Sequence, residues 1–224
     1  MKLSKRLKHI EQMIDLGYSH IWDCCCDHGF LGASLLSKQV AKNIHFVDIV
    51  PELISNIEIK LQQFHLNSLT NWKVHCIDVA ELPLEIYEGK QLVIIAGVGG
   101  DLMTRFINDI HQNHTNLNVD FLLCPVNRQF TVRQKLIDLN FSLKHEILVE
   151  DKQRFYEVIL VSSVSDKNKS INPVGNDIWQ SVTMKQADVV EKYLNKTLSY
   201  YRSIQQGKTS NVDHIISAYQ AIVI

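Results

Sequence analysis

The stretch FSLKHEILVEDKQRFYEVILVS, residues 141–162, decides the fold. Phe141–Val149 and Arg154–Ser162 are both strand-like, and only Glu150, Asp151, Lys152 and Gln153 separate them. Four residues cannot carry a parallel crossover, so the two strands must form an antiparallel hairpin.

Everything upstream of that hairpin has a different rhythm. Strand-sized apolar runs at His20–Cys26, Ile44–Ile49, Lys73–Ile77, Leu92–Ala96 and Phe121–Cys124 alternate with helical segments at Gly29–Lys38, 51–64, 101–113 and 131–139. Pro51 fits the first turn of its helix, where a missing N–H costs nothing. Near-continuous apolar strands alternating with helices predict a parallel sheet covered on both faces. The expected architecture is therefore five parallel strands finished by an antiparallel pair, a seven-stranded, mostly parallel α/β sheet. A dinucleotide-binding sheet would normally carry a sixth parallel strand instead.

Two helical pieces flank this sheet. Leu3, Leu7, Ile10 and Ile14 recur at helical spacing and predict an amphipathic opening helix that stops at Gly17. After a polar linker over Ser163–Asp177, Val190, Leu194, Leu198, Tyr201 and Ile204 form one stripe. Val212, Ile215, Tyr219 and Ile222 form a second, with Gly207–Asn211 as the turn. The expected division is a main domain over 1–163 and a C-terminal helical, coiled-coil-like hairpin over 174–224. The hairpin is too small to fold alone, so it must dock on the main domain, a partner or a substrate.

Composition narrows the class. The chain has 224 residues, 46% of them hydrophobic, and a net charge of −1. That length suits one core with a small appendage. The charge excludes a global positive field, so any nucleic-acid partner must be held by local patches. Lys2, Lys5, Arg6, Lys8 and His9, all ahead of Glu11, form one such patch or simply a solvated helix face. No apolar run approaches the roughly 20 residues of a membrane span, and no secretory signal is visible, so no membrane is expected. Five cysteines, three of them consecutive, offer no second cluster at ligand spacing. The expectation is a reduced, cytoplasmic setting and no metal, with the cysteines packed in the interior.

Ligands of such sheets bind beyond the carboxyl ends of the strands. Asp23 to Gly29, including Asp27 and His28, closes the first strand. Asp48 closes the second, Asp78 the third, and Gly97-Val98-Gly99-Gly100 the fourth. A lone strand-terminal Asp is often only a helix cap, and glycines also make plain turns. Four ends in succession point to a cofactor site. Carboxylates in place of an anion-binding glycine loop suit a cofactor with a sulfonium, an amino group and a ribose but no phosphate, which is S-adenosyl-L-methionine. Asp23 and Asp27 are expected at its amino-acid end, Asp48 at the ribose diol and Asp78 at the adenine amine. Gly97–Gly100 would let the backbone pass close to the transferred methyl group. His28 is either a general base or a structural histidine bonded to a strand-end carboxylate.

Leu3-Ser4-Lys5-Arg6-Leu7, Asp23 with Asp27-His28-Gly29-Phe30-Leu31, Ala96-Gly97-Val98-Gly99-Gly100 and Phe155-Tyr156-Glu157-Val158 together resemble the bacterial TrmK family. The resemblance runs from residue 3 to about residue 162, and the C-terminal hairpin matches the family's layout. It implies a Rossmann-like class I methyltransferase fold and a S-adenosyl-L-methionine-dependent transfer of methyl to N1 of adenine 22 in tRNA. It assigns Asp23, Asp27 and His28 to the first cofactor motif, Asp48 to the ribose and Asp78 to the adenine. Gly97, Gly99 and Gly100 fall to the floor of the reaction site. Three departures stand out. Cys25 replaces a usual glycine, Ile77-Asp78-Val79 replaces Gly-Asp-Gly, and Cys124-Pro125-Val126-Asn127 places its asparagine one residue late.

On this reading adenine N1 attacks the methyl directly, and its free lone pair needs no strong base. Gly97, Gly99 and Asn127 are expected at the point of transfer. Phe30, Phe155 and Tyr156 are candidates to stack on the exposed base, and Lys5, Arg6, Arg128, Arg133 and Arg154 to hold phosphates. The expected partner is tRNA, and the chain a monomer or weak homodimer. A small-molecule O- or N-methyltransferase on the same fold remains an alternative, as does a decayed RNA-binding relative.

Overall fold

The computed structural model describes residues 3–65, 68–207 and 211–224. Its strands are β1 (His20–Cys24), β2 (Asn43–Asp48), β3 (Asn71–Cys76), β4 (Gln91–Ala96), β5 (Val119–Cys124), β6 (Ser142–Asp151) and β7 (Arg154–Ser162). They form one sheet in the order β3-β2-β1-β4-β5-β7-β6. The first five run parallel, β7 pairs antiparallel with β5, and β6 closes the edge antiparallel to β7. The hairpin predicted from residues 141–162 is thus the feature that ends the parallel run. A register shift between Leu143 and His145 bends β6 near its start.

Burial explains the strand compositions. β1 and β5 are buried along their whole length, and both are mostly apolar, with His20, Asp23 and Asp120 as buried polar positions. β3, at the edge, alternates exposed and half-buried positions. One face of the sheet is covered by α1 (Lys5–Gln12), α2 (Phe30–Ser37) and α3 (Pro51–His65), which pack over Ile21, Ile44, Phe46 and Ile94. The other carries α4 (Gly100–Asn113) and α5 (Gln129–Asp138) over Trp22, Val93, Ile95 and Phe121. Two short 3-10 turns, Val79–Glu81 and Leu84–Ile86, replace a helix in the β3–β4 connection.

Local signals set the helix starts. Ser4 caps α1, its Oγ accepting the Leu7 N–H at 3.2 Å. The helix ends at Gln12 with Met13 as its cap, short of the expected Gly17. Thr183 and Gln186 form a reciprocal capping box at the start of α6 (Met184–Gln206).

α6 and the shorter α7 (Asp213–Gln220) do form a helical pair. The turn expected at Gly207–Asn211 falls largely on 208–210, outside the described residues. The pair docks on the main sheet. Tyr193, Tyr201 and Tyr219 pack with Phe130 of α5 and with Leu148 and Phe155 of the hairpin. The supposed linker is itself anchored. Ile171 and Val174 are buried, Lys169 bonds β6 through its carbonyl, and the Glu146 carboxylate accepts the N–H groups of Asn176 and Asp177.

Candidate active site

The strand order reverses between β1 and β4, each of which leads to a helix on the opposite face. The crevice beyond their carboxyl ends is the place such a sheet offers a ligand.

The turn after β1 is tightly wound. Cys25 and Asp27 both take left-handed backbone angles, φ 54° and 51°, and Gly29 follows at φ 69° as the cap of α2. A left-handed residue that is not glycine carries strain, so fixed bonds must hold this loop. Asp48 provides them at the end of β2, where its Oδ2 accepts the Asp27 N–H at 3.1 Å and its Oδ1 the Val50 N–H at 3.1 Å. Asp23 is buried, and its Oδ2 accepts the Gly32 N–H at 2.8 Å, which ties β1 to the first turn of α2. Burial, with the neighbouring Asp48 charge, raises the Asp23 carboxyl to about 7 even against that bond.

These contacts divide the acids into two groups. Asp23 is buried and shapes the loop through its Oδ2. Asp27 and His28 are exposed, their side chains 3.7 Å apart, and they border the crevice. Asp78 caps the first 3-10 turn, accepting from Ala80 at 2.9 Å, and pairs with Arg105 of α4 at 3.0 Å. Cys25 sits half-buried among Asp48, Asp23 and Asp78. Burial first, then those charges, push its thiol up to about 12, so it stays protonated.

The β4 end meets β5 from the other side. Gly97, at φ 94°, is exposed, and Gly99 caps α4. Asn127 follows β5 and accepts the Gly100 N–H through Oδ1 at 3.2 Å. A Cβ on Gly100 would stand 2.8 Å from the Asn127 carbonyl, so only glycine lets the two loops approach this closely. Despite its displaced position in the sequence, Asn127 therefore reaches the glycine loop.

The basic and aromatic candidates separate. The Arg6 guanidinium lies 4.8 Å over the Tyr156 ring, and a side chain at Gly97 would meet it 3.7 Å from the Cβ position. Lys5 points elsewhere, into a groove with β6 and the start of α6. Arg133 is corrected outright. It is fully buried, with Nε 2.6 Å from Glu157 and Nη1 2.7 Å from Glu146, and it cannot reach a phosphate. Tyr193 of α6 donates to the same Glu157 at 2.6 Å.

Sequence reading missed the groove that this docking creates. A cavity of about 440 Å³ opens beside Asn127 and Tyr156, walled by Arg154, Phe155, Lys196 and Tyr200, with no carboxylate in its lining. Arg154 and Phe155 were singled out from the sequence, but Lys196 and Tyr200 were not, because the α6 stripe drew attention to its opposite face. A larger cavity, about 640 Å³, lies between α2 and α3. It touches the turn after β1 only through His28 and Gly29 and lacks the strand-end acids. No group of His, Cys, Asp or Glu suited to a metal ion occurs among the described residues, nor a helix long and apolar enough to cross a membrane.

Sheet order, strand-end acids and glycine loop define a protein of the class I methyltransferase kind. Residues 3–159 match the family model of a methyltransferase domain, and the chain belongs to that family. A search of curated proteins returns no match. Among solved structures, the chain is similar to M. capricolum TrmK in complex with S-adenosyl-homocysteine, at 18% identity and a TM-score of 0.74, over 98% of this chain and 94% of that one. A Streptococcus pneumoniae protein in complex with S-adenosyl-L-methionine aligns at 20% identity and a TM-score of 0.71, over 98% of both chains. The B. subtilis m1A22 tRNA methyltransferase TrmK aligns at 18% identity and 0.67, over 98% and 93%. These likenesses extend through the C-terminal helices and not only the sheet.

Proposed function

We propose that this chain transfers a methyl group from S-adenosyl-L-methionine to N1 of an adenine in tRNA, adenine 22. The observation that carries the reading is the bond from the Gly100 N–H to Asn127 Oδ1. It ties the glycine loop, which shares the carboxyl edge of the sheet with Asp27, Asp48 and Asp78, to a groove lined by Asn127 that is aromatic, cationic and free of acids. The full-length similarity to tRNA methyltransferases supports it.

The residues fit the cofactor chemically. Carboxylates suit an amine, a sulfonium and a ribose. Bound in the crevice, S-adenosyl-L-methionine would supply an electrophilic methyl group. Asp27 is free to accept from its amine, and Asp48 presents its remaining lone pairs at the ribose position. Cys25, kept as a neutral thiol, does not compete as a nucleophile for the methyl.

Adenine N1 carries its own lone pair, so the protein's work is placement. Asn127, fixed by the Gly100 N–H, turns its amide toward the base. Phe155, Tyr156 and Tyr200 give faces on which an unpaired base and its neighbours can stack, and Arg154 and Lys196 meet the phosphates. A groove built for a small neutral substrate would not need that cationic rim. Equilibrium binding checks the reading: tight binding of S-adenosyl-L-methionine together with tRNA binding that falls steeply with salt. Absence of cofactor binding, or tRNA binding indifferent to salt, would overturn it.

A further inference from the structure

α2 begins hard against its neighbours. A Cβ on Gly29 would stand 3.1 Å from the Ile57 side chain, and one on Gly32 would collide with the Phe46 ring. Beyond that first turn α2 and α3 part, and the gap between them is the cavity of about 640 Å³. Ala33 and Lys38 line it from α2, and Lys60, Leu61, Phe64 and His65 from α3. Phe46, Ile57 and Leu61 are buried beneath it, while the Phe30 and Phe64 rings at its mouth are 40% and 70% exposed. Aromatic rings left in water over an apolar cleft mark a place where a ligand can bury them. The volume lies inside the roughly 300–1,000 Å³ of small-molecule sites.

We infer that the α2–α3 cleft binds a small amphiphilic anion, a fatty-acid-like carboxylate with an aliphatic body. The sign of the head follows from the charges. No carboxylate lines the cleft, and its basic side chains are Lys38, Lys60, His28 and His65. Lys38 is tied to Glu11, whereas Lys60, exposed on the rim, has no acid within ion-pair distance among the described residues. The aliphatic body follows from what the cleft withholds. The Ser34 hydroxyl donates to Glu11 and the Ser37 hydroxyl to the Ala33 carbonyl, so neither is free to donate to a base edge or a sugar. No arginine is present to grip a phosphate with paired N–H donors, as a nucleotide site would favour. A hydrocarbon chain on Phe46, Ile57 and Leu61, with its carboxylate at Lys60, satisfies every wall of the cavity.

Calorimetry on the full chain tests this with decanoate, below its micelle concentration, beside decanol and decyltrimethylammonium. The two comparison ligands keep the chain and remove or invert the head charge. Wild type should bind decanoate most tightly, decanol more weakly and the cation least. Ala33→Phe fills the cleft from α2 and should abolish decanoate binding. Lys60→Glu, on the exposed rim, should weaken decanoate about three- to tenfold and leave decanol unchanged. Melting curves show whether each variant is folded, and Lys60→Glu carries the test if Ala33→Phe is not. No decanoate binding by wild type, binding that survives a folded Ala33→Phe, an affinity indifferent to Lys60→Glu, or a cation held as tightly as decanoate would overturn the inference.

Discussion

Asp23 accepts the Gly32 N–H at 2.8 Å from a fully buried position, so a single carboxylate ties the central strand to the helix that frames the crevice. The same carboxylate is raised to about 7, chiefly by burial. A carboxyl raised in the folded state stabilises the fold at pH below its unfolded value, and that contribution is lost as pH rises through the folded value. The Asp23 contribution should therefore fade between about pH 4 and 7. Thermal melts of wild type and Asp23→Asn across this range should show a difference that shifts with pH in the variant's favour. A difference that stays flat would place the titration elsewhere.

His45 acts in the opposite sense. It is buried, stacked 3.8 Å on Trp22, and its two ring nitrogens meet His20 at 3.0 Å and His75 at 2.9 Å. Burial, then the neighbouring His75, His20 and Lys73, push it down to about 3. A depressed histidine contributes stability that is present above the unfolded value and is lost as pH falls through the folded one. The His45 ring should stay neutral by NMR at pH 5, where an exposed histidine is protonated. A midpoint near 6.5 would show that the row of three rings does not hold.

Arg133 links the methyltransferase sheet to the C-terminal helices through Glu157, which also accepts from Tyr193. Arg133→Met leaves two buried carboxylates without their cation and should cost about 3–5 kcal/mol in urea unfolding. A change below 1 kcal/mol would mean that the network is solvated. Tyr193→Phe removes one hydrogen bond and should cost about 1–2 kcal/mol.

Gly100→Ala places a methyl 2.8 Å from the Asn127 carbonyl, against backbone that cannot yield without moving the loop. Turnover on tRNA should fall well below wild type, while the melting temperature changes by only a few degrees. Full turnover in this variant would remove Asn127 from the site.

Lys196→Glu and Arg154→Glu should weaken tRNA binding without changing cofactor affinity. Each lost phosphate contact should reduce the slope of log affinity against log salt by about 0.7–0.9. An unchanged slope would move the RNA to another face.

The topology was readable because its decisive signal is local: four residues between two strands admit only a hairpin. The strand-end acids were readable for a similar reason, since each falls where an apolar run stops. What their carboxylates touch was not. Asp23 and Asp78 sit at equivalent strand ends, yet one braces a helix and the other pairs with Arg105, a residue 27 positions further on. Arg133 misled because a charged residue in an amphipathic helix normally faces solvent, and only the approach of Glu146 and Glu157 from the distant hairpin makes its burial tolerable. The groove was invisible because it exists only once α6 docks, 40 residues after Tyr156 at Lys196.

The central claim is tested most directly by incubating the protein with methyl-labelled S-adenosyl-L-methionine and unmodified tRNA, then digesting the RNA and mapping the labelled nucleoside. The account predicts 1-methyladenosine at position 22. Tight cofactor binding with no label in tRNA, or label on a different atom or base, would contradict it.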